Sequence, residues 1–368
     1  MYLRHLHLWH FRNYTDQAIT FTGNQTILIG DNAQGKSNLL EAILLLATLH
    51  SPRAHRDADL IQDAQETARI QAEVSRDPEP AVLSLTLRAS GRRTLAVNDQ
   101  TQRRQMDFLG YLRAVFFSCW DLEWVRGSPA QRRDWLDQML VQLEPAYSQL
   151  LQDYQRVVRQ RNVLLRQESL SPALLTPWDE LLSQTGSHLM RRRWRWLERL
   201  APLARTWHER ISQTSEVLTI RYAPAVPMSG EEDEATLRAH FQRQLAAKRP
   251  AELAQKTTLV GPHRDDVVFW LNGQPARTYA SQGQQRTLVL ALKLAELALL
   301  ETHLGDAPLL LLDDVLAELD HKRQRQLLSV ISERVQTIIT TTDLGRFYAP
   351  WLATAQQLRV VQGQVYPV

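Results

Sequence analysis

The spacing of apolar and polar residues divides the chain into predicted strands and helices. Residues 26–29 form an apolar run, a glycine-rich turn follows, and residues 39–49 repeat apolar positions at helical spacing. Residues 309–312 are four consecutive leucines, which is typical of a parallel strand buried on both faces. A strongly apolar helix is predicted from about residue 287 to residue 304. Strands alternating with helices in this way predict an α/β domain.

A long helical insertion is predicted in the middle of the chain. Ser128 and Gln131, with Pro129 between them, form a capping box with proline at the first helical position. Apolar residues then recur at three- and four-residue steps to residue 165, and Pro145 allows a bend between two helices. A second helical stretch covers residues 177–212, with a kink expected at Pro202. We therefore expect a short arm of antiparallel helices, although an ordinary helical subdomain fits the same pattern.

The turn after the first apolar run fits the phosphate-loop pattern Gly-x-x-x-x-Gly-Lys-Ser. Its glycines permit the positive φ angles that direct successive backbone N–H groups at one anion, and the following helix N-terminus attracts negative charge. Lys36 would reach the β- and γ-phosphates of ATP, and Ser37 would bind Mg²⁺. The predicted nucleotide-binding residues here are Gly30, Asp31, Asn32, Ala33, Gln34, Gly35, Lys36 and Ser37.

Two aspartates end the predicted strand of leucines. Asp313 would hold Mg²⁺, directly or through water, and Asp314 would accept a proton from the attacking water. We therefore predict Asp314 and Lys36 as catalytic residues, and Ser37 and Asp313 as metal ligands. A strand end that merely caps the next helix would give the same pair of residues.

A third segment opens the apolar helix that begins near residue 287. Ser281 could cap that helix and Gly283 could permit close approach, so an ordinary helix start explains the segment by itself. However, the aspartate pair follows about thirty residues later, which is the order found in ATP-binding-cassette ATPases. We therefore predict a second set of nucleotide-binding residues in the signature segment, namely Ser281, Gln282, Gly283 and Gln284.

Composition narrows the class of protein. The 368 residues contain one cysteine, which rules out a disulfide framework, and no apolar stretch is long enough to span a bilayer. A cytoplasmic protein associated with the nucleoid is expected. The net charge is +3, and the 43 basic residues are mostly arginine, which suits phosphate contacts but is also what a GC-rich genome produces.

Two basic clusters are candidates for DNA contact. The denser one is Arg191-Arg192-Arg193-Trp194-Arg195-Trp196, for which a solvated helix face is the competing interpretation. The other consists of Arg53, His55 and Arg56, just beyond the phosphate-loop helix. By contrast, His263 has no nucleophile paired with it in the sequence, so we expect a turn that is held by hydrogen bonds.

The chain resembles the RecF family of bacterial recombination mediators, which are related to the heads of SMC proteins. The resemblance extends over essentially the whole chain. The segments that carry it are Phe11-Arg12-Asn13-Tyr14, the phosphate loop with Asn38, Gly127-Ser128-Pro129 with Arg132-Arg133, Gly261-Pro262-His263-Arg264-Asp265-Asp266, Ala280-Ser281-Gln282-Gly283-Gln284-Gln285-Arg286-Thr287, and Leu312-Asp313-Asp314-Val315 with Glu318-Leu319-Asp320.

The resemblance implies a specific mechanism. ATP and Mg²⁺ would be the cofactors, and the signature segment of one copy would meet the γ-phosphate of ATP bound by a second copy, with Asp320 crossing the same interface. An ATP-dependent homodimer would close over DNA at gaps or single-strand/double-strand junctions. It would recruit RecR and RecO so that RecA is loaded during repair, and hydrolysis would release it.

The sequence departs from the cassette pattern at three places. Asp314 replaces the usual glutamate, as it does in RecF-like proteins, so slow hydrolysis is expected. The histidine usually found after the next strand is missing, and Thr341 or Thr342 could replace it. Residues 118–122 read Ser-Cys-Trp-Asp-Leu where the family has a segment like Ser-Pro-Glu-Asp-Leu, so a nucleotide-sensing role for that loop is not assigned.

We therefore expect a P-loop ATPase head of the ABC or SMC-like type, with two lobes and an inserted α-helical coiled-coil arm. The head would comprise residues 1–127 and 216–368, and the arm residues 128–215. Two other classes remain open at this stage. A transporter ATPase subunit would share the three motifs but would need a membrane partner, and a chromosome-structuring SMC protein would need a much longer arm and a hinge.

Overall fold

The structure is a computed structural model, and it describes residues 1–54, 56–76, 79–168, 171–318, 323–324, 327, 335–345 and 349–368. These residues form two compact units. One unit combines Met1–Asp121 with Lys293–Val368, and the other is the continuous stretch Leu122–Leu292. The second unit is thus an insertion in the sequence of the first.

Strands predominate in the first unit and helices in the second. The strands of the described residues are β1 (Tyr2–Phe11), β2 (Tyr14–Thr20), β3 (Gln25–Ile29), β4 (Thr67–Ser75), β5 (Ala81–Arg88), β6 (Thr94–Val97), β7 (Gln100–Gln102), β8 (Ala114–Ser118), β9 (Leu218–Ala223), β10 (Asp266–Leu271), β11 (Gln274–Pro275), β12 (Leu309–Asp313), β13 (Thr337–Thr341), β14 (Gln356–Val361) and β15 (Gln364–Pro367). The α-helices of the described residues are α1 (Lys36–Thr48), α2 (Glu123–Arg126), α3 (Pro129–Leu143), α4 (Pro145–Leu165), α5 (Thr176–Ser212), α6 (Glu234–Gln255), α7 (Ala276–Tyr279), α8 (Gln282–Leu304), α9 (Val315–Glu318) and α10 (Ala349–Thr354).

The first unit contains an antiparallel sheet with the strand order β2-β1-β4-β5-β6-β7. Every second residue of β4 is buried, as expected for a strand with one face on the core. The hairpin between β1 and β2 turns at Arg12 and Asn13, where Arg12 adopts a φ of 55°. This turn is the part of the sheet that contacts the phosphate loop.

The same unit contains a second sheet, with the order β15-β14-β3-β13-β12-β8, in which all strands except β15 run parallel. The four leucines of β12 and all five residues of β13 are buried, which confirms the strand predicted from the leucine run. The register places Asp313 level with Thr340 on one side and with Ser118 on the other. The carboxyl ends of β3, β12, β13 and β8 therefore lie along one edge, where parallel α/β sheets place their sites.

The second unit contains the predicted helical insertion. Ser128 caps α3, and its backbone N–H donates to Gln131 Oε1 at 2.7 Å, which confirms the capping box. Helix α4 begins at Pro145, so the predicted break between two helices is confirmed. Helix α5 has 37 residues and continues through Pro202. Among the described residues, no helix is long and apolar enough to cross a bilayer.

The boundaries of the two compact units differ from the boundaries that the sequence predicted between the head and the arm. The small antiparallel sheet β11-β10-β9 and helix α6 belong to the same unit as the arm helices, rather than to the unit that carries the phosphate loop. One reason is the ion pair in which Arg132 of α3 donates from Nε and Nη2 to the carboxylate of Asp266 in β10, at 2.7 and 3.0 Å. The arm helices and this sheet therefore belong to one compact unit.

Candidate nucleotide site

The phosphate loop lies between β3 and α1, as the sequence predicted. Gly35 has a φ of 120° and precedes the first residue of α1, and Ala33 also has a positive φ of 64°. A Cβ at Gly30 would lie 2.3 Å from the backbone oxygen of Val360, so only glycine fits there. The two glycines of the motif are thus needed for close approach and for a left-handed backbone.

Lys36 is almost fully buried at the base of this loop, with 4% of its surface exposed. Its ammonium donates to the backbone oxygens of Gly30 and Asp31, at 2.8 and 2.9 Å. Asp31, Asn32 and Ala33, at the tip of the loop, are exposed. The loop thus presents its backbone to solvent with one cation held at its base, an arrangement that suits a phosphate chain.

The two predicted metal ligands lie side by side although 276 positions separate them in sequence. Ser37 Oγ donates to Asp313 Oδ1 at 2.8 Å. A hydroxyl and a carboxylate oxygen are hard donors of the kind that Mg²⁺ prefers, and Mg²⁺ usually keeps several waters besides one or two protein ligands. The donor set therefore fits Mg²⁺ held between the protein and substrate phosphates.

A threonine of β13 fixes the orientation of the metal-site carboxylate. Thr340 Oγ1 donates to Asp313 Oδ1 at 2.8 Å. Sequence reasoning missed this residue and considered its neighbours Thr341 and Thr342 only as replacements for the missing histidine. Thr341 Oγ1 donates to the backbone oxygen of Asp343 at 2.9 Å, and Thr342 is exposed. The strand register, which places Thr340 opposite Asp313, was the information that the sequence lacked.

Asp314 occupies a strained position directly after β12. Its φ is 52°, which is unusual for a residue with a side chain, and its backbone N–H donates to Thr340 Oγ1 at 2.9 Å. Burial raises the pKa of Asp314 above its ordinary value, the positive charge of Lys36 opposes this rise, and Asp313 adds to it. Strain and a raised carboxyl pKa are both typical of functional positions.

The hairpin between β1 and β2 holds the phosphate loop from the side. Asn13 Nδ2 donates to the backbone oxygen of Gln34, and the hydroxyl of the fully buried Tyr14 donates to that of Gly35, both at 2.9 Å. Asn38 of α1 donates to Asn13 Oδ1 at 2.8 Å. These residues belong to the segments that carry the family resemblance, but the sequence predicted no role for them. Their contacts, such as the one between residues 13 and 34, join positions far apart in the chain and leave no local pattern.

A buried carboxylate connects the same hairpin to α1. Glu41 is 1% exposed and accepts both Nε and Nη2 of Arg12 at 3.0 Å, as well as Arg53 Nη2 and Ser51 Oγ at 2.6 Å. Burial alone would raise the pKa of Glu41. Hydrogen bonds from Arg12 and Ser51, together with the charge of Arg53, outweigh burial and hold this pKa below its ordinary value.

This carboxylate also accounts for part of one predicted DNA-contact cluster. Arg53 forms its ion pair with Glu41, so its guanidinium is part of the packing around α1. Arg56 forms an exposed ion pair with Asp59. His55 lies outside the described residues. Both described arginines of the cluster are exposed, and both form ion pairs.

The signature segment lies in the other compact unit, at the start of α8. The helix begins at Gln282, five residues before the predicted start. Ser281 and Gln284 cap it reciprocally: Ser281 N–H donates to Gln284 Oε1 at 2.7 Å, and Gln284 N–H donates to Ser281 Oγ at 3.3 Å. Thr287 Oγ1 donates to the backbone oxygen of Gly283 at 3.0 Å. The helix-start interpretation thus describes this segment within one copy, where Ser281 and Gln282 are exposed.

The arginine-rich cluster on α5 divides into a buried and a surface part. Arg193 is buried and donates from Nε and Nη2 to the carboxylate of Asp137, at 2.9 and 2.8 Å, and from Nη1 to the backbone oxygen of Pro262 at 2.7 Å. The adjacent His263 is bonded to the Tyr154 hydroxyl at 2.6 Å, and burial lowers its pKa to about 4. The expected structural role of His263 agrees with these contacts.

The remaining arginines of this cluster lie on the outer face of α5. Arg192 and Arg195 both pair with Glu144, and Trp196 Nε1 donates to the same carboxylate at 2.7 Å. Arg191 is exposed. A solvated face therefore describes Arg191 and Arg195, whereas Arg193 and Trp196 are buried.

Comparisons with known proteins agree with this fold. The family model described as the RecF/RecN/SMC N-terminal domain matches residues 2–350. The head of an SMC protein, solved with a winged-helix domain of ScpA, has the same fold, with a TM-score of 0.55 at 16% identity over 100% of this chain and 97% of that one. The family model and the fold thus define the class: an ABC-type ATPase head fold of the SMC type.

More similar proteins narrow the class to one family. The chain is 57% identical, over its full length and 98% of the relative, to the "DNA replication and repair protein RecF" of Thermosynechococcus vestitus, and 54% identical to the protein of that name from Synechocystis, over 99% of the chain and 98% of the relative. A solved structure of "the recombination mediator protein RecF-ATPrS in RecFOR pathway" matches with a TM-score of 0.92 at 31% identity, over 100% of this chain and 98% of that chain. The chain belongs to the RecF family of DNA replication and repair proteins.

Proposed function

We propose that this chain is an ATP-switched DNA clamp, in which two copies close on each other when ATP is bound and separate after hydrolysis. The observation that carries the proposal is the grouping of Ser37, Asp313 and Thr340 beside the loop that buries Lys36. A related solved structure is named as a complex of RecF with ATP, which supports ATP as the nucleotide.

Each residue of the site has a distinct role in this proposal. The backbone of residues 30–35 and the N-terminus of α1 bind the phosphates, and Lys36 binds the β- and γ-phosphates. Ser37 and Asp313 would hold Mg²⁺, which would neutralise charge on the phosphates. Asp314 takes the proton of the attacking water. Because its side chain is one methylene shorter than the glutamate usual in cassette ATPases, hydrolysis is slow and acts as a timer.

The second copy completes the site. Ser281 and Gln284, with the backbone of Gln282 and Gly283, bind the γ-phosphate held by the first copy. Support comes from the exposure of Ser281 and Gln282 at a helix N-terminus, which attracts anions. ATP then favours the dimer because the γ-phosphate interacts with both copies, and hydrolysis removes that differential interaction. Asp320, which would cross the same interface, lies outside the described residues.

DNA is the ligand that the closed dimer holds. Support comes from relatives named for DNA replication and repair and from neighbours placed in the RecFOR pathway, so RecR and RecO are the expected protein partners and RecA loading at gapped DNA the outcome. On α5, Arg191, Arg195 and Arg199 are exposed at four-residue steps and line a cavity of about 660 Å³. Residues four apart share one helix face, so this row is our candidate for contacts with the DNA backbone.

Mixing two inactive variants tests the proposed site. Lys36→Met strongly weakens ATP binding but leaves an intact signature segment, whereas Ser281→Arg leaves the phosphate loop intact but blocks the signature. Each variant alone hydrolyses no ATP. A mixture contains dimers in which the loop of the Ser281→Arg copy meets the signature of the Lys36→Met copy, so we expect DNA-stimulated hydrolysis to return.

The control is a mixture of Ser281→Arg with the double variant Lys36→Met/Ser281→Arg, which contains no complete site and stays inactive. Rescue only in the first mixture supports a site shared between copies. If Ser281→Arg hydrolyses ATP at the normal rate by itself, or if the first mixture is as inactive as the control, the shared site is wrong.

A further inference from the structure

Two aromatic side chains are far more exposed to solvent than is usual for such large apolar groups. Trp120 is 64% exposed and Tyr279 is 67% exposed, which are the highest values among the aromatic side chains of the described residues. The other tryptophans whose burial the structure describes are buried or half-buried. Large aromatic side chains gain the most from burial, and tyrosine and tryptophan are enriched at protein interfaces for this reason.

Trp120 lies at the sheet edge that carries the candidate metal site. It follows Ser118, the last residue of β8, which is level with Asp313 on β12. The segment is anchored because the buried Asp121 accepts the backbone N–H of Ser118 at 2.8 Å. Trp120 is thus held outward, two residues from the position level with Asp313.

Tyr279 precedes the signature segment by an equally short distance. It is the last residue of α7, and Ser281 follows two residues later. The turn between them is fixed because Ala280 N–H donates to the backbone oxygen of Ala276 at 3.1 Å, and Gln285 Nε2 donates to that of Ala280 at 3.0 Å. Tyr279 thus has a defined place beside Ser281 and an exposed ring.

We propose that, in the ATP-bound dimer, Trp120 of each copy packs against Tyr279 of the other copy at the rim of the nucleotide site. The proposal rests on the proposed function, since it requires the signature of one copy to meet the phosphates held by the other. Two residues span at most about 7 Å, so closure of Ser281 onto the γ-phosphate beside Asp313 brings both rings to the same rim. In a two-fold dimer the contact occurs twice.

This contact gives the dimer an apolar component beyond the phosphate bridge. Trp120→Ala leaves nucleotide binding by a single copy unchanged, because Trp120 follows an edge strand and is absent from the phosphate loop. Loss of two aromatic contacts raises the dissociation constant of the ATP-bound dimer on the order of tenfold. Tyr279→Ala has the same effect. The double variant Trp120→Ala/Tyr279→Ala adds little, because both substitutions remove the same contact between Trp120 and Tyr279.

The chain supplies its own probe for this geometry. Cys119 is the single cysteine and is exposed, directly beside Trp120. In the full-length Tyr279→Cys variant, a short bis-maleimide should join Cys119 of one copy to residue 279 of the other with ATP, and far less with ADP. Protein concentration is raised to offset the lost contact. Tyr366→Cys is the matched control, since Tyr366 is 52% exposed on β15, and Cys119→Ser with Tyr279→Cys controls for other linkages.

The outcomes separate this proposal from the function on which it rests. ATP-dependent cross-linking of Tyr279→Cys, several-fold above Tyr366→Cys, supports the contact. If ATP doubles the sedimentation mass while the two cysteine variants cross-link equally, or if Trp120→Ala dimerises with wild-type affinity, the dimer stands and the aromatic contact is overturned. If ATP leaves the mass unchanged, the proposed function and this contact are both wrong.

Discussion

The phosphate loop and the signature segment are held in different ways. The loop is fixed from several directions: Asn13 and Tyr14 bind its backbone from the β1–β2 hairpin, and the backbone N–H of Gly363 donates to the oxygen of Gln34 at 2.9 Å. The signature segment has a reciprocal cap between Ser281 and Gln284, and Gln284 Nε2 also donates to Glu216 at 2.7 Å, but its first residues, Ser281 and Gln282, are exposed. One half of the proposed site is thus preorganised within a copy, and the other is displayed at a surface.

This difference explains how one nucleotide could control association. A preorganised loop loses little conformational freedom when ATP binds, so a single copy can bind ATP before it meets another. The exposed N-terminus of α8, by contrast, meets a phosphate only when a second copy brings its bound ATP.

The largest effect is expected from Lys36→Met. Removing the buried ammonium, whose charge faces the phosphates, should weaken ATP binding about 100-fold. Calorimetric titration with ATP measures this, and circular dichroism checks the fold. Ser281→Ala is the matched change in the signature segment and should leave ATP binding by a single copy unaltered. Equal losses in both variants would contradict the division of roles.

Glu41→Gln tests the support beneath the loop. Because Glu41 is buried with two arginines, its neutralisation should cost about 2 kcal/mol of unfolding free energy at pH 7. The pKa of Glu41 is lowered from 4.5 in the folded protein, so its contribution is complete above pH 4.5 and is lost as pH falls through the folded value. Urea unfolding should therefore show a gap at pH 7 that closes in acid.

Glu66→Gln is the control for that measurement, since Glu66 is an exposed glutamate of the same unit. It should change the urea midpoint little at either pH. A Glu41→Gln gap that stays constant from pH 7 into acid below the folded pKa of Glu41 would show that the carboxylate's charge is not what stabilises this region.

Thr340→Val tests the chemistry rather than the support. Valine has nearly the same shape but cannot donate to Asp313 or accept from the backbone of Asp314, so both aspartates lose a fixed orientation. We expect hydrolysis to slow about tenfold with ATP affinity largely retained. Thr342→Val is the control at an exposed neighbour. If both variants hydrolyse ATP at the same rate, Thr340 does not position the site.

The smallest effect is expected from Tyr14→Phe, which removes only the hydroxyl that donates to the backbone oxygen of Gly35. One lost hydrogen bond should cost about 1 kcal/mol of unfolding free energy. ATP affinity should fall a few-fold because the loop is less restrained. Urea unfolding and ATP titration of the same sample measure both quantities, and an unchanged affinity would mean that the hairpin supports the fold without organising the loop.

The parts of the site that lie in one stretch of sequence were predictable. The phosphate loop, the strand that ends in Asp313 and the capped helix α3 each follow from a local pattern of residues. Ser37 and Asp313 could be paired because both motifs are specific. The roles of Asn13, Tyr14 and Thr340 could not be predicted, because they depend on strand register and hairpin placement across long separations in sequence.

The unit boundaries illustrate the same limit. The arm helices were visible as a periodic pattern, but their packing against β9 and β10 depends on side chains far along the chain, such as Arg132 and Asp266. The sequence also could not show which arginines of α5 are buried. Arg193 is a buried partner of Asp137 whereas Arg191 is exposed, and this difference depends on the fold.

The most direct test of the account is the sedimentation mass of the purified protein without nucleotide, with ADP and with ATP, beside the Lys36→Met and Ser281→Arg variants. We predict that ATP, unlike ADP, doubles the mass of the wild-type protein. The Ser281→Arg variant should bind ATP without doubling its mass. The Lys36→Met variant should neither bind ATP tightly nor double its mass. A mass that ignores ATP, or a Ser281→Arg protein that doubles like the wild type, would contradict the shared nucleotide site.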